Sequence, residues 1–136
     1  MVNVILGLTG SGKTKQLIDS INSAIKNETG SMVCIEKGNA LTFDVDYRVR
    51  LIDASEYDIG NYTFLKGFIS GLHAGNFDIT HIFLDGLYKL SGSKDHEETA
   101  EFLAWCEAFG KTNSMEFTIS ISDDVANMPE SITKYL

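Results

Sequence analysis

Two rhythms of apolar and polar residues take turns along this chain: short apolar runs or period-two alternation, then recurrence near every third or fourth position. Val2-Asn3-Val4-Ile5-Leu6 predicts a first strand. Leu17, Ile18, Ile21, Ala24 and Ile25 then recur at helical spacing, with Asp19, Asn22, Ser23 and Lys26 between them and Gly30 as a stop. That spacing predicts an amphipathic helix lying on a sheet. Ser31 to Glu36 reads as a short buried strand. In the next run Leu41, Phe43, Val45, Tyr47, Val49 and Leu51 alternate with Thr42, Asp44, Asp46, Arg48 and Arg50, which predicts extended chain. The run is too long for one interior parallel strand, so we expect an exposed β-hairpin arm or edge segment near 37–47 feeding a core strand at 48–53.

Phe64, Leu65, Phe68, Ile69 and Leu72 mark a second helix, ended by Gly75-Asn76. Ile79 to Leu84 predicts a strand running into Asp85, and Gly86 to Asp95 reads as loop with Lys89 and Lys94 as its only positive charges. Thr99, Phe102, Leu103, Cys106 and Phe109 form the inner face of a third helix, with Trp105 on its edge and Gly110 as its close. Phe117 to Ile121 is the last strand, and the tail from Asp123, which carries the sole proline, Pro129, adds a short helical turn or a terminal strand.

Strands alternating with helices imply right-handed β-α-β units. The predicted fold is therefore α/β: one domain over residues 1–136, a three-layer α/β/α sandwich around a mostly parallel sheet of about five strands. Ligands of such sheets bind at the carboxyl ends of the strands. That rule gathers Gly7 to Thr14, Glu36, Asp53, Asp85 and Ser122 along one edge, although they are far apart in sequence.

Composition narrows the partners. With 136 residues and 43% of them hydrophobic, the chain can fill a single core, and its net charge of −8 sets up a field that repels nucleic acid and anionic lipid. No apolar run approaches the roughly 18 residues of a membrane span. The first strand begins almost at Met1, leaving no room for a signal sequence, so we expect a cytoplasmic protein. Cys34 and Cys106 stand singly in apolar surroundings and read as two reduced core thiols.

The chemistry is concentrated in Gly7-Leu8-Thr9-Gly10-Ser11-Gly12-Lys13-Thr14, which spells G-x-x-x-x-G-K-[ST] between a predicted strand and a predicted helix. Glycines there permit a wide turn whose backbone N–H groups point inward at phosphates, and the positive end of the following helix adds to the attraction. Thr9, Gly10, Ser11, Gly12, Lys13 and Thr14 are thus the candidate nucleotide contacts. The Lys13 ammonium would reach the β- and γ-phosphates, and the Thr14 hydroxyl would ligate Mg²⁺. Asp85, ending the run Ile82-Phe83-Leu84, is placed to hold the same Mg²⁺ through a water.

Together, Gly7 to Thr14 and Asp85 resemble the Walker A and Walker B elements of the P-loop nucleoside triphosphate hydrolase superfamily. The strand and helix order fits that fold across the whole chain. The resemblance implies a small ATP-binding protein that uses Mg²⁺ and hydrolyses ATP. Many ATPases of the superfamily carry a glutamate directly after the Walker B aspartate; here that position is Gly86. Glu36, at the end of the second strand, is the first candidate to position the attacking water, with Asp53 second; the alternative for Glu36 is a solvated loop residue. Lys13 and Glu36 are thus the catalytic candidates. Ser120 and Ser122 fall where related ATPases place a γ-phosphate sensor, while Asp123 and Asp124 read as turn or capping residues.

Arg48 and Arg50 are the chain's two arginines, both away from the expected phosphate end, so an arginine finger comes from a neighbouring subunit or turnover is slow. His73, His81 and His96 read as packing or solvated residues. The absence of arginine between Asp85 and Leu136 disfavours a nucleotide kinase, whose lid is rich in that residue. Asp46-Tyr47-Arg48 bears a slight likeness to thymidine kinases, whose zinc lasso and acidic pair are missing, and a thymidine-like nucleoside kinase stays as the lesser alternative. No Asn-Lys-x-Asp guanine reader is present, which favours ATP over GTP. Two readings remain: a slow Mg²⁺-dependent ATPase that drives a cycle with a protein partner or with itself, and a non-catalytic module in which ATP orders 86–95 or 37–47 to expose a docking surface.

Overall fold

A computed structural model describes residues 1–136. Its strands are β1 (Val2–Gly7), β2 (Ser31–Glu36), β3 (Val49–Asp53), β4 (Ile79–Leu84) and β5 (Glu116–Ser122). They pair in parallel throughout, in the order β1-β5-β4-β2-β3, so β5 separates β1 from β4. Parallel pairing puts every carboxyl end on one edge. Gly7 lies opposite Ser122, Leu84 opposite Ile119 and Ile35, and Glu36 opposite Asp53.

The helices are α1 (Lys13–Asn27), α2 (Tyr62–Gly75), α3 (Leu87–Ser91), α4 (His96–Asn113) and α5 (Glu130–Thr133). Because successive strand residues point to opposite faces, the core divides in two. Met32, Cys34, Val49 and Phe83 face Leu17, Ile21 and Ala24 of α1. On the other face Val4, Val33, Ile35, Ile82, Leu84 and Ile119 meet Leu65, Leu87, Phe102 and Ile132 of the remaining helices. The result is a three-layer α/β arrangement. Both cysteines are buried and unbridged. The C-terminus is tied to the sheet by Val4 N–H donating to the Tyr135 carbonyl at 2.9 Å. No helix is long and apolar enough to cross a membrane.

The expected hairpin arm at 37–47 does not form: this stretch is a series of turns, and the core strand begins at Val49. β2 and β3 are parallel neighbours and need a crossover between them, and these turns, which contain no strand pairing, supply it. Leu41 and Val45 are buried against the α1 side while Phe43 and Tyr47 are almost fully exposed. The segment is therefore a cover beside α1. Residues four apart share a side, a spacing that successive turns produce as readily as alternation with every second member misread as inward.

Two other boundaries move. The predicted loop 86–95 contains the short helix α3, with Leu87, Tyr88 and Leu90 buried. Helix α4 runs through Gly110 to Asn113 and ends on Ser114 in the left-handed conformation at φ 56°. Its start is set by Asp95, whose carboxylate accepts from the N–H groups of Glu97 and Glu98 at 2.8 and 3.1 Å. The tail does form helical turns, at Val125–Asn127 and in α5.

Candidate functional site

The glycine-rich segment leaves the carboxyl end of β1 and enters α1 at Lys13. Gly10 and Gly12 hold φ at 85° and 92°, a backbone region where side-chain-bearing residues are strained, so the loop's course depends on glycine at both positions. The Lys13 side chain is buried against the loop, its Nζ donating to the Leu8 carbonyl at 2.9 Å. That bond braces the loop across its own width and leaves two ammonium N–H donors for a ligand.

A cleft of about 770 Å³ opens beside the loop. One wall is the loop itself with Thr9, Gly10, Gly12, Lys13 and Thr14; the floor is Asp85, Ser120 and Ser122. Glu36, Lys37 and Ala40 close one side, and Tyr88, Lys89 and Lys94 close the other. Of the candidate contacts, Ser11 does not line the cleft, and Asp53 stands beyond Glu36 on the edge strand β3. Four lysines against two carboxylates make this a cationic recess in a chain of net charge −8.

Asp85, Ser120 and Glu36 are each held by a neighbour. Ser120 Oγ donates to Asp85 Oδ1 at 3.0 Å and accepts from Gly86 N–H at 2.8 Å. Gly86 itself has φ 75°, which turns the chain from β4 into α3. A glutamate at that position would have to adopt the same left-handed backbone, so the fold disfavours a carboxylate directly after Asp85.

Glu36 is buried, which rules out the solvated-loop alternative. Its two oxygens accept from the N–H groups of Ala40 and Leu41 at 2.7 and 3.2 Å. Burial pushes its carboxyl above the ordinary carboxylate range, the two amides pull it back, and Asp85 and Asp53 add to the upward push. Through these bonds it anchors the 40–45 turns to the end of β2. Asp53 anchors the neighbouring strand end in the same way. Its Oδ1 accepts from the Ser55 hydroxyl at 2.6 Å, from Gly38 N–H at 2.8 Å and from Ser55 N–H at 2.9 Å. Those bonds hold its carboxyl below the usual range, the Ser55 hydroxyl foremost.

The arginines stand apart. Arg48 pairs with Asp46 at 3.2 Å on the surface, Arg50 is exposed, and neither lines the cleft. Asp124 caps the turn at Val125–Asn127, as a capping residue should. Asp123 does more than begin a turn: its Oδ2 accepts from the Tyr88 hydroxyl at 2.7 Å and pairs with His96 Nε2 at 3.0 Å, linking the cleft wall to the start of α4. His73 packs edge-on against Phe109.

Sequence reasoning passes over Lys37 and Tyr88. Lys37 directly follows a strand end and is open to the same edge rule as Glu36. Tyr88 carries no signal, because nothing in the pattern of 86–95 marks a helix there. Compared with known proteins, the sequence matches no protein-family model and no curated protein.

Proposed function

We propose that this protein binds ATP together with Mg²⁺ in the cleft at the carboxyl edge of its sheet, as a small member of the P-loop nucleoside triphosphate hydrolase superfamily. The observation that carries this reading is the meeting, in one cationic recess, of the Gly7 to Thr14 loop with Asp85 from a strand two places away in the sheet. Backbone N–H groups from Thr9 to Thr14 would bind the phosphates at the positive end of α1, with the Lys13 ammonium between the β- and γ-phosphates. Thr14 and Asp85 would hold Mg²⁺, whose charge offsets that of the phosphates when bound. Lys89 and Lys94 supply positive charge from the same chain where other ATPases use arginine.

Turnover in this reading is slow. The position after Asp85 is Gly86, and Glu36, the best-placed carboxylate to orient a water, already serves two amides. The same bonds join the cleft to the 40–45 turns, and Lys89 joins it to α3. Binding or loss of a γ-phosphate would therefore be felt by two surface segments, a route by which ATP switches contact with a protein partner or a second copy. The work would take place in the cytoplasm, where ATP and Mg²⁺ are available and both thiols stay reduced.

The engagement of Glu36 also favours a second reading, a nucleotide-binding module without hydrolysis. Phosphate release from ATP and Mg²⁺, measured on the parent chain and on Lys13→Ala, separates the two. Slow release lost in the variant supports the ATPase; tight binding without release supports the module; absence of both contradicts each.

A further inference from the structure

We propose that Glu28, His81 and Glu116 form a site for a divalent transition-metal ion, of the class Zn²⁺ represents, on the edge of the sheet opposite the cleft. The three residues come from separate elements. Glu28 directly follows the last residue of α1, His81 lies in the first half of β4, and Glu116 opens β5 in register beside His81. Since all strands run the same way, this is the amino-terminal edge, and the site shares no residue with the glycine loop or its cleft.

The geometry converges on one ring nitrogen. His81 Nδ1 lies 3.1 Å from both carboxylate oxygens of Glu28 and 3.9 Å from Glu116 Oε2. One ligand atom from each residue falls within 4.8 Å of the others. Zn²⁺ binds imidazole nitrogen and carboxylate oxygen at about 2.0–2.2 Å, which puts tetrahedral ligands roughly 3.3 Å apart. The Glu28 to His81 spacing already meets that requirement. Glu116, 3.9 Å away with a side chain 45% exposed, would move closer to complete it.

The ring is held as a ligand would be. Its other nitrogen, Nε2, is 2.8 Å from the buried Thr118 hydroxyl, and its face stacks on Phe83 with centroids 4.0 Å apart. When Nε2 carries the proton and donates it to Thr118, the Nδ1 lone pair faces the two carboxylates, the outer-shell pattern that orients metal-bound histidines. Without a cation the other tautomer satisfies the ring, Nδ1–H donating to Glu28 and Nε2 accepting from the Thr118 hydroxyl, so an ion at Nδ1 takes the place of that proton.

Charge points the same way. No lysine or arginine pairs with Glu28 or Glu116. Glu28 also sits at the negative end of a 15-residue helix, where an anion is disfavoured and a cation is welcome. A divalent ion would balance the two carboxylates and clamp the end of α1 to β4 and β5. An imidazole ligand selects a transition ion over Mg²⁺, which takes oxygen ligands.

The test is titration of the chelator-treated full chain with Co²⁺, read by visible absorption and then by displacement with Zn²⁺, in excess Mg²⁺ and without nucleotide. We expect one ion per chain. Thr118→Val should weaken uptake by about 10- to 100-fold. Glu28→Gln with Glu116→Gln should abolish the Co²⁺ spectrum while circular dichroism shows the double variant folded. The proposal is overturned if the parent takes up no ion near stoichiometric concentration, or if the folded double variant takes it up as well as the parent.

Discussion

Ser120 holds Asp85 in place: its hydroxyl donates to Asp85 Oδ1 at 3.0 Å while accepting the N–H of Gly86 at 2.8 Å. One serine on β5 thus fixes both the carboxylate that ends β4 and the turn leading into α3. Because β5 also pairs with β1, which carries the glycine loop, it sets the position of that loop relative to Asp85.

Ser120→Ala removes the partner of two groups at once. Leaving a fully buried donor or acceptor unsatisfied costs about 1–3 kcal/mol, and Asp85 and Gly86, half-buried in the cleft, set the lower end of that range. Urea unfolding should report a loss of that size, and Mg²⁺-dependent nucleotide binding should weaken alongside it. Unchanged stability would mean that water replaces the hydroxyl without loss.

The 37–47 segment makes a contrast that a hairpin arm would not. Leu41 is 1% exposed and Phe43 is 98% exposed. Leu41→Ala should cost about 2–5 kcal/mol, and Phe43→Ala should stay within about 0.5 kcal/mol of the parent. Denaturant midpoints of the two variants decide the matter; equal effects would return the segment to the surface.

Much of this architecture is legible from the chain. Strand ends and helix faces follow from the period of apolar residues, and the parallel sheet follows from their alternation. The edge rule brings Gly7 to Thr14, Glu36 and Asp85 to one cleft because it depends only on strand direction. What stays hidden depends on how irregular segments turn and on which side chains meet once the elements have packed. Leu41 to Tyr47 fits period two and successive turns equally well, and what separates them is the packing of Leu41 and Val45 beside α1. Glu36 looks like a free strand-end carboxylate because nothing local announces that Ala40 and Leu41 turn back onto it. Glu28, His81 and Glu116 meet only after three elements have packed.

Asp53 gives a pH dependence with a definite sign. Its folded carboxyl lies below its ordinary value of 3.8, so the stability it contributes is present above that value and is lost as pH falls through the folded one. Asp53→Asn should be less stable than the parent near neutral pH, and the gap should close below about pH 4. Urea midpoints of both proteins across that range test it; a gap constant with pH would show that the charge is immaterial.

Lys89 and Lys94 face the same cleft as Lys13, whereas Arg48 is occupied by Asp46 outside it. Lys89→Gln and Lys94→Gln should each weaken ATP binding by about ten-fold, equivalent to about 1.4 kcal/mol. Arg48→Gln should leave it unchanged. Calorimetric titration of the three variants checks both halves.

Nucleotide binding itself is decided by thermal unfolding of the parent and of Lys13→Ala with ATP and Mg²⁺. At a free concentration 100 times the dissociation constant, a ligand bound only to the folded state stabilises it by about 2.7 kcal/mol. We predict a shift of that order for the parent and little or none for the variant. A parent chain whose unfolding ignores millimolar ATP and Mg²⁺, or a Lys13→Ala chain that responds equally, would contradict a phosphate cradle at Gly7 to Thr14.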